Sequence, residues 1–283
     1  MRPGARLASP EGCDVHDHLC WVFEDDADFA AAARAFLEEG AARGERLVYG
    51  AARPVGELAA ELAGVCCRVR MIGSGALVLV DVRDLAGLTD AEREDLFVAS
   101  VDAADAAGYT GLRVAVDTTE MDGPRFDHVR QGGWERFSDR LIVDRAVTAL
   151  CGLDRTAFGD ESVARMTALH PAVHGREPVA PFGVYATAGG AAISGEIDFS
   201  AGAALATALG YDEPAPGEFV LDVSGVRFID GRGLAALGER ADRLAEAGGT
   251  LVVEGASPVV ARLWDLCGLA DHPSARLRRA APT

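Results

Sequence analysis

The chain has 283 residues, 49% hydrophobic and 25% charged, a composition that supports two domains of ordinary size, each with its own core. Its net charge of -17 repels phosphate backbones and anionic lipid surfaces, which argues against nucleic acid and membrane partners. All 27 basic residues are arginine, so a Walker-A lysine, a Schiff-base lysine and a lysine general base are excluded.

The opening "MRPGARLASPEG" lacks a hydrophobic signal core, and no apolar run approaches the ~20 residues of a membrane span, so a cytoplasmic protein is expected. Six cysteines, at 13, 20, 66, 67, 151 and 267, show no CxxC spacing and are expected as reduced thiols. "HLCWVF" predicts the first strand of the sheet. In the next segment, "DADFAAAARAFLEEGAARG", Asp25, Asp26 and Asp28 favour a helix start, Phe29, Ala33, Phe36 and Leu37 form an apolar stripe, and Gly40 and Gly44 mark the end.

"RLVYGA" then reads as a strand, "VGELAAEL" as a helix, and "CCRVRMI" and "ALVLVDV" as strands joined by a hairpin turn at "GSG", residues 73–75. "LTDAEREDLFVASVDAADAAG" is a helix whose Thr89 and Glu92 have the spacing of a capping box. After it come the buried strand "LRVAVDTTE", a helix in "FDHVRQGGWERFSDRLIVD" broken at Gly132 and Gly133, and the strand "AVTALCGL". The alternation predicts an α/β fold with a doubly wound sheet, whose ligands bind beyond the carboxyl ends of the strands. Residues 82–84 and 117–120 are the candidate pocket walls.

Pro178 and Pro181 interrupt the alternation in "HGREPVAPFG". They set a linker at 177–182, between a first domain over 14–176 and a second over 183–277. A flexible N-terminus (1–13) and a tail (278–283) flank them. The second unit reads as strands at "GVYAT", "AAISGEIDFS", "FVLDVS" and "TLVVEGA" and helices at "AGAALATALG", after Asp230-Gly231-Arg232-Gly233, and at "PVVARLWDLCGL".

His16, His18 and Cys20 alternate, so a strand would project all three from one face, opposite Val15, Leu19, Trp21 and Phe23. Imidazoles and a thiol at this spacing suit a soft metal, with Cys13 or Cys151 completing the shell. A ligand-sensing face is the preferred reading, with His18 and Cys20 lining a pocket beside Asp117 and Trp134. A cysteine-hydrolase set of His18, Cys20 and Asp117 lacks an evident nucleophile elbow or oxyanion loop. The expectation is therefore a non-enzymatic protein with no cofactor and no resident metal. His128, His170 and His174 are scattered, and His170-Pro171 reads as a helix terminus.

The segments "DHLCWVFEDDADFAAAARAFLEEGAARGERLVYGA", "LRVAVDTTEM" and "ALCGLDRTAFGDESVARMTALHP" resemble the MEDS domain, a sensory module of bacterial regulators proposed to detect small hydrocarbon derivatives. The resemblance implies a RecA-like sheet without an intact phosphate-binding lysine. That family usually carries tyrosine near Phe23 and Leu153, which this chain replaces.

The segments "ISGEIDFS", "FVLDVSGVRFIDGRGLAAL" and "GGTLVVEGASPVVARLWDLCGL" resemble a STAS domain of the anti-sigma-factor antagonist type. This implies a mixed sheet flanked by helices. It also implies an anti-sigma factor or similar kinase-like partner held at the loop before the second helix, with Glu196, Asp198, Ser224 and Asp230 to Leu234 on the partner face. The family loop often reads Asp-Ser-Ser-Gly and is switched by phosphorylation of its second serine. Here the two serines align with Gly231 and Arg232. Three readings follow: a permanently competent antagonist whose partner choice Arg232 has changed, a homodimerisation or scaffold module, or phosphorylation moved to Ser224 or Ser200.

Overall fold

The computed structural model describes residues 5–65, 68–121, 127–176 and 179–278. Residues up to Ala164 together with His170–Val179 form one compact unit, and Arg165–Leu169 together with the chain from Ala180 onward form a second. The expected linker includes residues 177 and 178, which lie outside the described residues.

The first unit runs β1 (Ala5–Arg6), β2 (His18–Phe23), α1 (Asp26–Arg43), β3 (Arg46–Ala51), α2 (Val55–Glu61), α3 (Arg68–Ser74), β4 (Leu77–Asp81), α4 (Asp90–Ala106), β5 (Leu112–Asp117), α5 (His128–Asp144), β6 (Val147–Asp154), α6 (Arg155–Thr167, whose end from Arg165 belongs to the second unit) and β7 (Ala172–His174). The strands form one sheet in the order β1-β7-β2-β6-β5-β3-β4, and every neighbouring pair is parallel. Parallel strands covered on both faces read as continuous apolar runs, as β2 and β6 do. From β2 the chain crosses β6 and β5 to reach β3, whereas from β6 it passes β2 to reach β7, so the winding reverses between β2 and β6.

On one face of the sheet, Phe29, Phe36 and Leu37 of α1 pack with Leu19, Trp21 and Tyr49. On the other, Val101 and Ala104 of α4 and Ile142 of α5 pack with Leu112, Val147 and Ala149. Helix α1 starts where the Asp25 carboxylate accepts from the Ala27 amide and stops at Gly44, left-handed at φ 79°. The capping box of α4 forms as read, with Thr89 and Glu92 each bonding the other's backbone amide.

Three local expectations are corrected. The strand read at "CCRVRMI" is helix α3 over its described part, because the alternating Arg68, Val69 and Arg70 sit on an exposed turn, with Val69 75% accessible; Cys66 and Cys67 lie outside the described residues. Gly73 and Ser74 end that helix and Gly75, at φ 77°, leads into β4; no hairpin forms, because β4 pairs in parallel with β3. Helix α5 runs unbroken through Gly132 and Gly133, held by burial of its inner face.

The second unit runs β8 (Phe182–Thr187), β9 (Gly190–Ile197), α7 (Gly202–Gly210), β10 (Gly217–Ile229), α8 (Gly231–Glu246), β11 (Gly249–Glu254), α9 (Pro258–Leu266) and β12 (Ala275–Leu277). Its sheet has the order β12-β11-β10-β9-β8 and is mixed: β8 and β9 are antiparallel and the other pairs parallel. Leu234, Leu237, Ala241 and Leu244 give α8 a buried apolar stripe at helical spacing. The edge strand β12 has no counterpart in the sequence reading. Its Arg276 pairs with Glu218, and Arg278, just beyond it, pairs with Glu218 and Glu254.

Candidate functional site

Strands β2 and β6 lie side by side with His18 opposite Ala149 and Cys20 opposite Cys151. Helix α5, started by the Asp127 carboxylate bonding the Val129 and Arg130 amides, turns Gln131, Glu135, Ser138 and Asp139 inward. These polar groups meet His18 and Cys151 and, from the turn before β7, His170. His18, Glu135 and Asp139 are 0% accessible, His170 is 2% and Cys151 8%. His18 Nδ1 is 3.0 Å from Asp139 Oδ1, and its Nε2 is 3.4 Å from Cys151 Sγ and 3.5 Å from Glu135 Oε2. His170 Nε2 lies 3.2 Å from Glu135 Oε2, and the two imidazoles tilt together with ring centres 4.3 Å apart.

His18, His170, Glu135 and Cys151 shift one another. Burial acts against charge on His18, but the Cys151 sulfur, Asp139 and Glu135 outweigh it and raise the imidazole well above its ordinary value. Burial and His18 push His170 down, while Glu135 and Cys151 lift it to about 9. Burial pushes Glu135 up, and the two histidines hold it well below the usual carboxylate range. Burial and Glu135 would raise the Cys151 thiol, yet His18 and His170 bring it below its ordinary value. The cluster is thus a buried assembly of two imidazoles, two carboxylates and a thiol whose acidity its neighbours increase.

Beside it, between the sheet and helices α4 and α5, lies a cavity of about 120 Å³. Val48, Val80, Val114 and Val116 form its floor, Leu96 and Phe97 of α4 and Trp134 of α5 its walls, and Cys151 enters it from the cluster. The volume approaches that of cavities that admit a benzene-sized molecule. Its polar lining includes the buried Arg93, whose Nε donates to the Leu85 carbonyl at 3.2 Å, and Ser138, whose Oγ is buried with no hydrogen-bond partner among the described residues.

Of the residues read as a ligand face, the structure brings Trp134 to the cavity, and it puts His18 behind the wall, in contact with Cys151. Cys20 is fully buried beside Cys151, its thiol pushed up by burial and by Cys151 and Glu135. Asp117 does not line the cavity; its Oδ1 accepts from the Thr119 amide and hydroxyl at 3.0 and 2.5 Å, and burial raises its carboxyl. The adjacent Thr118 does line it, as does Val82.

The set of His16, His18 and Cys20 on one strand face is corrected. His16 precedes β2, with φ 75°, and its Nδ1 is 2.6 Å from the Ile142 carbonyl. Cys13 belongs to the opposite core beside Phe36, with its thiol donating to the Pro10 carbonyl at 3.1 Å. Glu135, Asp139 and Ser138 escaped the sequence reading because polar residues on a helix ordinarily mark its solvated face. His170 was read as a terminus although it is a member of the cluster.

At the junction of β2 and α1, where a phosphate loop would sit, the chain presents Glu24, Asp25, Asp26 and Asp28, and Asp25 already caps the helix. Four carboxylates there repel phosphate, in agreement with the missing lysine.

In the second unit, Asp230 Oδ1 accepts from the Arg232 and Gly233 amides at 2.9 and 3.1 Å and starts α8. Gly231 and Arg232 are exposed. Gly233 is buried so tightly that a Cβ there would lie 2.5 Å from Ile229 Cγ1, and Leu234 is fully buried, so its side chain serves the core. The Asp198 carboxylate accepts from the Ser200 amide and hydroxyl and from the Ala201 amide, Glu196 is 3.3 Å from Arg227 Nε, and Ser224 is exposed with its amide bonded to Asp222. Phe199 and Phe228 are 67% and 51% accessible beside this loop, an aromatic and arginine surface of the kind enriched at protein interfaces.

A family model described as the MEthanogen/methylotroph, DcmR Sensory domain (MEDS) matches residues 17–171, over half of the chain, and a STAS domain model matches residues 189–280. A search of curated proteins finds no match to the chain. Among the described residues no helix is long and apolar enough to cross a membrane.

Proposed function

The chain belongs to the MEDS family and carries a STAS domain behind it, and from that premise we propose a non-enzymatic cytoplasmic regulator in which the first domain senses a small molecule and the second captures a kinase-like anti-sigma factor. The two domains together make a regulatory architecture of sensor and anti-sigma-antagonist type. The observation that carries the sensing half is the cavity: mostly apolar walls with Arg93 at one side, benzene-like size, and the unsatisfied hydroxyl of Ser138. They fit a compact, mostly hydrocarbon ligand with one polar group, and a group bonding Ser138 Oγ would remove the cost of burying it alone.

The output half rests on the α8 loop. A serine at 231 or 232 would allow a phosphate of about -1.5 to -2 charges to block docking; glycine and arginine there do not. Regulation then falls to the attached sensor, which acts only if its ligand binds the two states of the protein with different affinity. Full-length protein titrated calorimetrically against a kinase-like anti-sigma factor from the same genome is expected to bind, and Arg232→Glu to weaken the complex about 30-fold. Recovery of self-association alone, unaffected by Arg232→Glu, would replace this reading with that of a scaffold.

A further inference from the structure

We infer that His18, Glu135, Cys151 and His170 form a binding site for a single divalent transition-metal ion of the zinc class. Their donor atoms, two imidazole nitrogens, a carboxylate oxygen and a sulfur, all lie within 4.8 Å of one another. Three of the separations are 3.4, 3.5 and 3.2 Å. An ion with metal–nitrogen and metal–oxygen bonds of about 2.0–2.1 Å and a metal–sulfur bond of about 2.3 Å has tetrahedral edges of roughly 3.3–3.6 Å, so these three pairs already have the spacing of its corners and the other donor pairs lie within 4.8 Å.

The surrounding groups aim the donors. Asp139 takes Nδ1 of His18 and leaves Nε2 facing the centre, the carboxylate–histidine arrangement that orients metal ligands. Gln131 Nε2 donates to Glu135 Oε1 at 2.7 Å and so leaves Oε2 for the ion. Asp139 is in turn held by Arg136 at 3.4 Å. The donors come from two strands, a helix and the turn before β7, all buried, so little reorganisation is needed to close the shell.

Charge and softness select the ion. A thiolate and a carboxylate with two neutral imidazoles balance a divalent cation, which lets the buried site hold it without net charge. Sulfur and imidazole donors disfavour calcium and magnesium. Cys151 is shared between this cluster and the cavity wall, so the ion's thiolate ligand faces whatever enters the cavity. Metal binding stands on this geometry alone; only the link to ligand sensing rests on the function proposed above.

The test uses untagged full-length protein. Metal analysis after purification without chelator is expected to give about one zinc-class ion per chain. Stripped protein titrated with cobalt(II) is expected to develop the intense visible bands of a tetrahedral site and a thiolate-to-cobalt band. Cys151→Ser should remove the thiolate band and Cys20→Ser should keep it, while His170→Gln and Glu135→Gln, which remove direct ligands, should each weaken binding by more than the roughly 10- to 100-fold that losing an outer hydrogen-bond partner costs. Folded wild-type protein that takes up neither zinc nor cobalt would overturn the inference, even if the variants fail to fold. So would cobalt bands that survive Cys151→Ser and His170→Gln together. Neither result bears on anti-sigma binding, which is read separately by calorimetry.

Discussion

The Arg232 guanidinium lies over the ring of Phe199, 3.8 Å from its centre, at the exposed start of α8. Gly202 backs the arginine so closely that a Cβ there would sit 2.8 Å from Arg232 Cβ. Arg232 is therefore a placed cation on an aromatic platform rather than a loose surface charge. The stacking contributes about 0.5–1 kcal/mol at an exposed site, too little to decide folding but enough to present the charge in one orientation. Arg232→Glu and Phe199→Ala are each expected to weaken the partner complex by 2 kcal/mol or more, about 30-fold, as central arginine and aromatic contacts do. Circular-dichroism melting of the same variants should move by no more than a few degrees. Equal affinity for wild type and both variants would remove this surface from the interface.

Asp230 caps α8 through the Arg232 and Gly233 amides, and the cap does not depend on the missing serines. Asp230→Ala should cost about 1 kcal/mol and Asp230→Asn much less, since asparagine caps nearly as well. Hydrogen exchange at amides 232 and 233 reads this directly: alanine should speed exchange about fivefold, and unchanged rates would show that the cap is not holding the helix end.

The first unit buries Arg113 completely between α1 and the sheet. Its guanidinium pairs with Glu45, donates to the Phe36 and Cys13 carbonyls and packs over the Phe36 ring. Glu45→Ala leaves that buried cation with only the more distant and partly exposed Glu39, 3.8 Å away, and should cost about 3 kcal/mol, whereas replacing both Arg113 and Glu45 by Met and Leu should recover most of the loss. Urea denaturation followed at the tryptophans distinguishes the two. A Glu45→Ala loss below 1 kcal/mol would mean that water or a rearranged group reaches the site.

Much of this architecture was readable because local signals agreed with the fold. Thr89 and Glu92 named their own cap, Asp25 and Gly44 bracketed α1, and the apolar runs of β2 and β6 announced a parallel sheet. Residues 68–74 misled because arginine alternating with apolar residues has the period of a strand, whereas here it is an exposed helical turn. The buried cluster was harder for a deeper reason. Periodicity shows that Gln131, Glu135, Ser138 and Asp139 share a helix face, but α5 also has polar Arg130 and Arg140 elsewhere around it, so nothing local says which polar face turns inward. Cys151 and His170 join that face only through the pairing of β6 and β7 with β2, a tertiary fact.

Ser138 gives the cavity its sharpest test. A buried hydroxyl without a partner costs about 1–3 kcal/mol, so Ser138→Ala should leave the protein as stable as wild type or more so, contrary to the usual effect of a core truncation. If the hydroxyl is there to bond a ligand, the same change must lower affinity for polar small molecules and spare apolar ones. Phenol and toluene serve as probes of matched size. Phenol should raise the melting temperature of wild type more than toluene does, and Ser138→Ala should erase that difference by weakening phenol about 5- to 10-fold while leaving toluene unchanged. Filling the space instead, with Ser100→Phe from α4, should abolish both shifts, because Ser100 lines the same cavity. Should neither probe stabilise wild type at saturating concentration, the cavity is not the sensing site, and the ligand must be sought on another surface of the first domain.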